Sequence, residues 1–194
     1  MNGILLTGVS KSFDGKEVLK DVSMRIDAGQ TVCIRGRSGI GKTTLLRIIA
    51  GLTEPDTGTL EGVPGHIGFV FQEDRLCEDY SALSNIRLVT GRSMSREEIL
   101  RHLNELGLAE SAMLPVRGFS GGMKRRVALA RAVCADPELL LLDEPFKGLD
   151  PELRLKVINY VKKHTAGKTV ICVSHDITEA LYLGGTVIEL EDSQ

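Results

Sequence analysis

The stretch Gly36-Arg37-Ser38-Gly39-Ile40-Gly41-Lys42-Thr43, followed by Thr44, carries the clearest chemistry in the chain. It fits G-x-x-x-x-G-K-[ST] at every fixed position. Glycines at this spacing let the backbone wrap closely round a phosphate, with successive N–H groups pointing inward as an anion nest at a helix N-terminus. Lys42 would set its ammonium against the outer phosphates, and the Thr43 hydroxyl is an oxygen donor suited to Mg²⁺. A second segment, Leu139-Leu140-Leu141-Leu142-Asp143-Glu144-Pro145, is an apolar run ending in two carboxylates. Asp143 at such a strand end reaches the metal held with the phosphates, and Glu144 is placed to polarise an attacking water. The pair of segments predicts a nucleoside triphosphate site and leaves its purpose open.

These groups need elements to position them. Gln30 to Arg35 is a β-rich run before the glycine loop, and Lys42 to Ala50 reads as the following helix with Gly51 as its stop. His66 to Phe71 predicts a further strand. Leu139 to Leu142 and Thr169 to Val173 are continuous apolar runs of the kind buried on both faces of a parallel sheet. Asp150 and Pro151 read as the N-cap and first position of a helix reaching about His164. Strands alternating with helices predict an α/β fold, a P-loop core with a mostly parallel sheet.

One polar interruption, about residues 73–133, is expected to form a helical subdomain inserted in that core. It contains two amphipathic helices: one opened by a capping box, Ser95 with Glu98, and carrying Ile99, Leu103 and Leu106; the other starting near Gly121-Gly122 and running through Val133. The whole, residues 1–194, reads as a single domain.

Composition narrows the class. With 24 Lys and Arg against 26 Asp and Glu the net charge is −2, which argues against a dedicated nucleic-acid binder. Hydrophobic residues at 42% with 26% charged read as globular, and the longest apolar run falls far short of the roughly 20 residues a membrane span needs. The start, Met1-Asn2-Gly3-Ile4-Leu5-Leu6, lacks a secretory leader's basic region and apolar core. Cys33, Cys77, Cys134 and Cys172 show no Cys-x-x-Cys pairing and read as reduced thiols in a reducing compartment.

Phe119-Ser120-Gly121-Gly122-Met123, running into Lys124-Arg125-Arg126-Val127-Ala128-Leu129-Ala130-Arg131-Ala132, is a serine and two glycines opening a helix, a second anion-binding terminus. One triphosphate needs only one such nest. In the order of these motifs the chain resembles the ATP-binding cassette family, the nucleotide-binding subunits of ABC transporters, over nearly its whole length. The resemblance implies two cassettes paired head to tail, so that Ser120, Gly121 and Gly122 of one copy close on ATP held by the other. Gln72, in Phe69-Val70-Phe71-Gln72, matches the glutamine that senses Mg²⁺ and the attacking water. His175, in Val173-Ser174-His175-Asp176, matches the histidine touching the γ-phosphate, and Asp150, in Gly148-Leu149-Asp150, the aspartate coupling the two sites. Phe13 fits the aromatic that stacks on adenine, with Val18 beside the ring; an ordinary core aromatic is the lesser reading of Phe13. His66, His102 and His164 read as structural or surface residues.

Some features depart from the family pattern. Met123 stands where many members carry Gln, and Lys147-Gly148 where Ser-Ala is more usual. Gly51 and Gln72 stand close together for the family, so the antiparallel β-subdomain near Thr57 to His66 is expected to be trimmed. The chain ends at Gln194, soon after His175, and no further domain is expected there.

The resemblance implies an ATPase energising separate membrane permease subunits from the cytoplasmic face of the membrane, most like the importers of nitrate, sulfonates, taurine and thiamine precursors, and admitting an extracytoplasmic solute-binding protein. The permease is expected beside Gln72, near Glu73, Asp74 and Arg75. ATP and Mg²⁺ are the implied cofactors and a second copy of the chain the implied partner, with no nucleic acid. The competing readings are a non-transport cassette of the cell-division type with its own membrane partner, and a small metabolite kinase. The kinase would leave Ser120-Gly121-Gly122 and His175 without purpose.

Overall fold

The computed structural model describes residues 3–190. The expectations resting on Met1, Asn2 and the end at Gln194 lie outside them. Eight strands and six α-helices run in the order β1 (Ile4–Phe13), β2 (Lys16–Ile26), β3 (Thr31–Arg35), α1 (Lys42–Ile49), β4 (Thr57–Glu61), β5 (Ile67–Val70), α2 (Ala82–Thr90), α3 (Arg96–Glu105), α4 (Gly121–Cys134), β6 (Leu139–Asp143), α5 (Pro151–His164), β7 (Thr169–Val173), α6 (Ile177–Leu183) and β8 (Thr186–Glu189) among the described residues.

The central sheet has the order β5-β6-β7-β3-β8, and every neighbouring pair in it is parallel. Period-two alternation divides its side chains between two cores. Leu139, Leu141, Ile171, Val32 and Ile34 point to one face, where α1 supplies Leu45, Leu46, Ile48 and Ile49. Leu140, Leu142, Val170, Cys172 and Cys33 point to the other, covered by the α4 and α5 residues Val127, Leu129, Val157, Ile158 and Val161. Both faces are therefore dry, as the continuous apolar runs require.

A second sheet, β2-β1-β4, is antiparallel and closes over α1 with Ile4, Leu6, Val9, Leu19 and Ile26. The expected antiparallel subdomain near Thr57 to His66 is thus relocated. It is built chiefly from the N-terminal hairpin, with strands of ten and eleven residues, and only the five residues of β4 come from the expected stretch. Only that third strand is short. The hairpin turn is Asp14-Gly15, both with positive φ (50° and 75°), the geometry of a two-residue type I′ turn.

The interruption between β5 and β6 holds three α-helices where the sequence predicts two. The unexpected one, α2, is capped by Ser81, whose hydroxyl accepts from the Ser84 N–H, and buries Leu83 and Ile86. The capping box at Ser95 and Glu98 is present, as is the Asp150 cap of α5 with Pro151 at its first position. After His175 the chain adds α6 and the edge strand β8, neither of which the sequence motifs required.

Candidate functional site

Because the central strands are parallel, their carboxyl ends share one edge, and each expected group lies just beyond one of them. The glycine loop follows β3, Gln72 follows β5, Asp143 and Glu144 end β6, and Ser174-His175 follow β7. They frame a cleft of about 230 Å³ lined by Val18, Ser38, Gly39, Gly41, Lys42, Thr43, Thr44, Gln72, Glu144, Val173 and His175. A neighbouring cleft of about 250 Å³ shares Val18, Ser38 and Gly39 with it and adds Arg37, Ile40 and the β2 residues Lys16 to Lys20. A roomier hollow of about 560 Å³ lies at the opposite edge of the sheet, walled largely by Gly29, Gly62, Pro64, Pro137 and Gly167. The chemistry, not the volume, identifies the site.

The loop needs its glycines. Gly36 (φ 149°) and Gly41 (φ 102°) adopt backbone open mainly to glycine, and a β-carbon would meet the Leu190 carbonyl at 2.7 Å in the first and the Val18 carbonyl at 2.7 Å in the second. Gly41 is also the N-cap of α1 and brings no capping side chain, so the first-turn N–H groups are available to an anion. The Lys42 ammonium folds back along the loop, donating to the Gly36 and Arg37 carbonyls at 2.7 and 2.8 Å. Burial lowers its pKa, and Glu144, Asp143 and Glu189 work against that.

Thr43 and Asp143 meet although 100 residues separate them: the Thr43 hydroxyl donates to Asp143 Oδ2 at 2.8 Å. Asp143 is 2% exposed, and burial raises its pKa despite that hydrogen bond. A buried carboxylate in its charged form calls for a cation. One hydroxyl and one carboxylate, with the Gln72 side chain on the same cleft, form a hard oxygen set that fits Mg²⁺ bound together with phosphate oxygens.

Glu144 ends β6 in a left-handed conformation (φ 47°), its N–H donating to the Val173 carbonyl at 3.0 Å. That turn brings its carboxylate between Lys147 Nζ at 2.8 Å and His175 Nε2 at 3.0 Å. Burial pushes the Glu144 carboxyl up, but Lys147 and His175 together outweigh it and leave the group below the ordinary carboxylate range. It is therefore ionised near neutral pH and able to take a proton. Lys147, a departure from the usual family residue, thereby touches the site directly, a contact the sequence does not disclose.

The His175 loop is braced from α5. Arg154 donates to Asp176 Oδ2 at 3.1 Å and to the Leu149 carbonyl at 3.2 Å, joining the Gly148-Leu149-Asp150 turn to the loop holding His175. The sequence does not single out Arg154, because no local pattern marks a contact across two loops.

Ser120, Gly121, Gly122, Asp150 and Phe13 stand outside the cleft. Ser120 caps α4, accepting from the Met123 N–H, with Gly121 and Gly122 in the first turn. Asp150 caps α5 through the Leu153 N–H at 3.0 Å. Within one chain none of Ser120, Gly121, Gly122 and Asp150 meets the glycine loop's cleft. Phe13, at the tip of the hairpin, is 47% exposed, with Lys11 Nζ 5.4 Å from its ring centre; it is not a core aromatic and lines neither cleft, whereas Val18 lines both.

A glycine nest heading a helix, with a strand-end aspartate beside its threonine, defines a P-loop nucleoside triphosphatase. The family model described as ABC transporter matches residues 19–147, and the chain belongs to that family. It is an ATP-binding ATPase of the ABC class. It is 38% identical over 182 residues to the aliphatic sulfonates import ATP-binding protein SsuB 2 of Pseudomonas syringae pv. tomato, covering 92% of this chain and 78% of the relative. With SsuB 1 of Rhodococcus jostii, likewise an aliphatic sulfonates import ATP-binding protein, it shares 40% identity over 98% of this chain and 80% of the relative. The fold matches the dimeric, post-hydrolysis structure of the ATP-binding cassette MJ0796 bound to ADP and Pi, with a TM-score of 0.86, 32% identity, and coverage of 97% and 94% of the two chains.

Proposed function

We propose that this chain hydrolyses ATP as one half of a pair of cassettes and drives a membrane permease that imports a small solute. The carrying observation is the single cleft in which Lys42, Thr43, Gln72, Glu144 and His175 line one sheet edge. Lys42 and the loop N–H groups hold the β- and γ-phosphates. Thr43, Asp143 and Gln72 would hold Mg²⁺, which would offset phosphate charge. Glu144 accepts a proton from the water attacking the γ-phosphorus, and His175, fixed against Glu144, donates to a γ-phosphate oxygen. Phosphoryl transfer is chiefly a matter of positioning and electrostatics, so each contact contributes by being in place beforehand.

Ser120, Gly121 and Gly122 serve the ATP of a second copy. Their place at an exposed helix end, away from the chain's own cleft, supports that division, and the dimeric state of the MJ0796 cassette agrees with it. Asp150 stands at the turn between the two sites, and Phe13 at the hairpin tip stacks on adenine.

No helix among the described residues is long and apolar enough to cross a membrane. The permease is therefore assigned to other chains, with this one held at the cytoplasmic face of the membrane. Tyr80, on the loop leading into α2, and Leu88, Val89, Met113 and Leu114, on and beside that helix, are exposed apolar residues suited to such a contact. The names of the relatives make an aliphatic sulfonate the first cargo to test, delivered by a solute-binding protein. Co-purification from membranes tests the assembly: an integral subunit retained with this chain, and ATP hydrolysis stimulated in that complex, are the expected results. Hydrolysis indifferent to any membrane partner would overturn the transport reading.

A further inference from the structure

Two arginines of α4 grip the backbone that carries Gln72. Arg125 donates Nη1 to the Phe71 carbonyl at 2.7 Å and Nη2 to the carbonyl of Gln72, while its Nε faces Asp74 Oδ1 at 3.2 Å. Further along the helix Arg131 donates to the Arg75 carbonyl at 2.9 Å and to that of Asp74 at 3.2 Å. Carbonyls on both sides of Gln72 thus end on one helix. The stretch from Phe71 to Leu76 has no helix or strand of its own, and its Phe71, Gln72, Asp74 and Arg75 carbonyls take bonds from these two arginines, whereas the Glu78 and Tyr80 carbonyls further on accept from the backbone N–H groups of Arg117 and Val116.

Arg125 is 7% exposed. A guanidinium buried to that degree is strongly disfavoured unless ion pairing and hydrogen bonds compensate, and here Asp74 and two carbonyls supply both. Its fork bonds two successive carbonyls, a geometry a lysine cannot reproduce. The same rigid helix begins at Ser120. Its capped end and the Gln72 backbone are therefore parts of one body.

We propose that Arg125 is a positioning residue for hydrolysis: by tying the Phe71 and Gln72 carbonyls to α4 it sets where the Gln72 side chain stands in the cleft, and it makes any shift of the Ser120 end of α4 a shift of Gln72. The proposal rests on the assignment of Gln72 to the ATP site. The glycine loop lies between β3 and α1, to which Arg125 makes no hydrogen bond, and the Arg125 charge reaches the site only by favouring the ionised form of Asp143, so turnover moves further than nucleotide affinity.

The test uses the full chain with Arg125→Gln and Arg125→Lys. ATP affinity is read with a fluorescent ATP analogue, kcat and KM from phosphate release, and loop order from hydrogen exchange of residues 72–76. Arg125→Gln is expected to hold affinity within about twofold, lose about tenfold in kcat and exchange faster at 72–76. Arg125→Lys keeps the charge and one carbonyl, and recovers part of the loss. A kcat within about twofold of the parent overturns the proposal, as does a parallel fall in affinity and turnover, which marks a role in folding alone. Should Arg125→Gln not fold, the unsubstituted protein decides: residues 72–76 and the first turn of α4 are expected to respond to ATP with one midpoint, and two separate midpoints overturn the clamp. A parent protein that binds ATP without hydrolysing it would refute the assignment of the catalytic groups, while the exchange measurement still decides the clamp.

Discussion

Replacing Glu144 by Gln isolates proton transfer from everything else the residue does. Glu144 sits at φ 47°, and glutamine adopts that left-handed backbone at a similar cost, so the turn after β6 is preserved. Its carboxylate lies 2.8 Å from Lys147 Nζ and 3.0 Å from His175 Nε2, and the glutamine amide oxygen can keep one of these contacts. The fold and the phosphate-binding loop are left alone, and ATP affinity is expected to hold within about twofold. What disappears is the acceptor for the water proton. No neighbour substitutes for it, because Asp143 is buried and turned to Thr43. General-base catalysis contributes about 10² to 10⁴, so kcat should fall by about 10² to 10³, or ~3–4 kcal/mol of barrier. Phosphate release at saturating ATP measures the rate, and light scattering follows assembly. The ATP-bound dimer is expected to accumulate because the step that opens it is slowed. A kcat within about threefold of the parent would refute Glu144 as the base, and loss of ATP binding would show that the substitution had disturbed more than proton transfer.

Lys42→Ala removes the ammonium that spans the loop at the Gly36 and Arg37 carbonyls; ATP binding should be lost in equilibrium titration, and unchanged affinity would count against the phosphate-loop assignment. Lys147→Ala breaks an exposed ion pair worth about 0.2–1 kcal/mol, so kcat should change by no more than about fivefold; a larger loss would make Lys147 part of the catalytic apparatus. Phe146, fully buried between the catalytic turn and α5, should cost about 3–5 kcal/mol when cut to alanine, read as a lower denaturation midpoint at constant m-value. Burial and then the neighbouring His164 hold the His102 imidazole below its ordinary value of 6.5. The unfolded chain therefore takes up a proton near 6.5 that the native state refuses, and native stability falls as pH drops from about 6.5 towards the lowered native value. His102→Gln should flatten the fall of the melting midpoint between about pH 7 and 5.5, and an unaltered slope would rule out this contribution.

What the sequence makes legible is what is written in short, contiguous patterns. The glycine loop, the apolar strands β6 and β7, the Ser95–Glu98 capping box and the Asp150-Pro151 helix start all depend on neighbours within a few residues, and all stand where expected. The N-terminal hairpin does not read so plainly. Register shifts between Leu6 and Val9 and between Val9 and Lys11 break the alternation of β1, so no window shows a clean period of two. Asp14-Gly15 was the signal available for it. Helix α2 is short and takes its stability from packing on α4, which propensity does not report. Contacts such as Arg125 with the Phe71 carbonyl, or His175 with Glu144, join groups distant in sequence that only the folded sheet edge brings together.

The sheet order has a last consequence. β5 and β6 are immediate neighbours, paired from Ile67 with Leu139 to Val70 with Leu142. Residues 71–138 are therefore an excursion that leaves the sheet at one edge and must come back at the other. The fourteen residues of α4, about 21 Å long, make that return journey. Between Gln72, which lines the cleft at the start of the excursion, and Ser120, which caps α4 at its end, the chain is cargo hung on an ordinary strand–helix–strand crossover. Closing a longer loop costs little, about 0.6 kcal/mol for each doubling, so material can be added or removed there while strands β5 and β6 keep their pairing. The engine and its attachment are thus free to diverge at different speeds: the sheet edge with Gln72 and the Ser120 end of α4 stay fixed, while the stretch between them can be refitted to whichever partner the chain must serve.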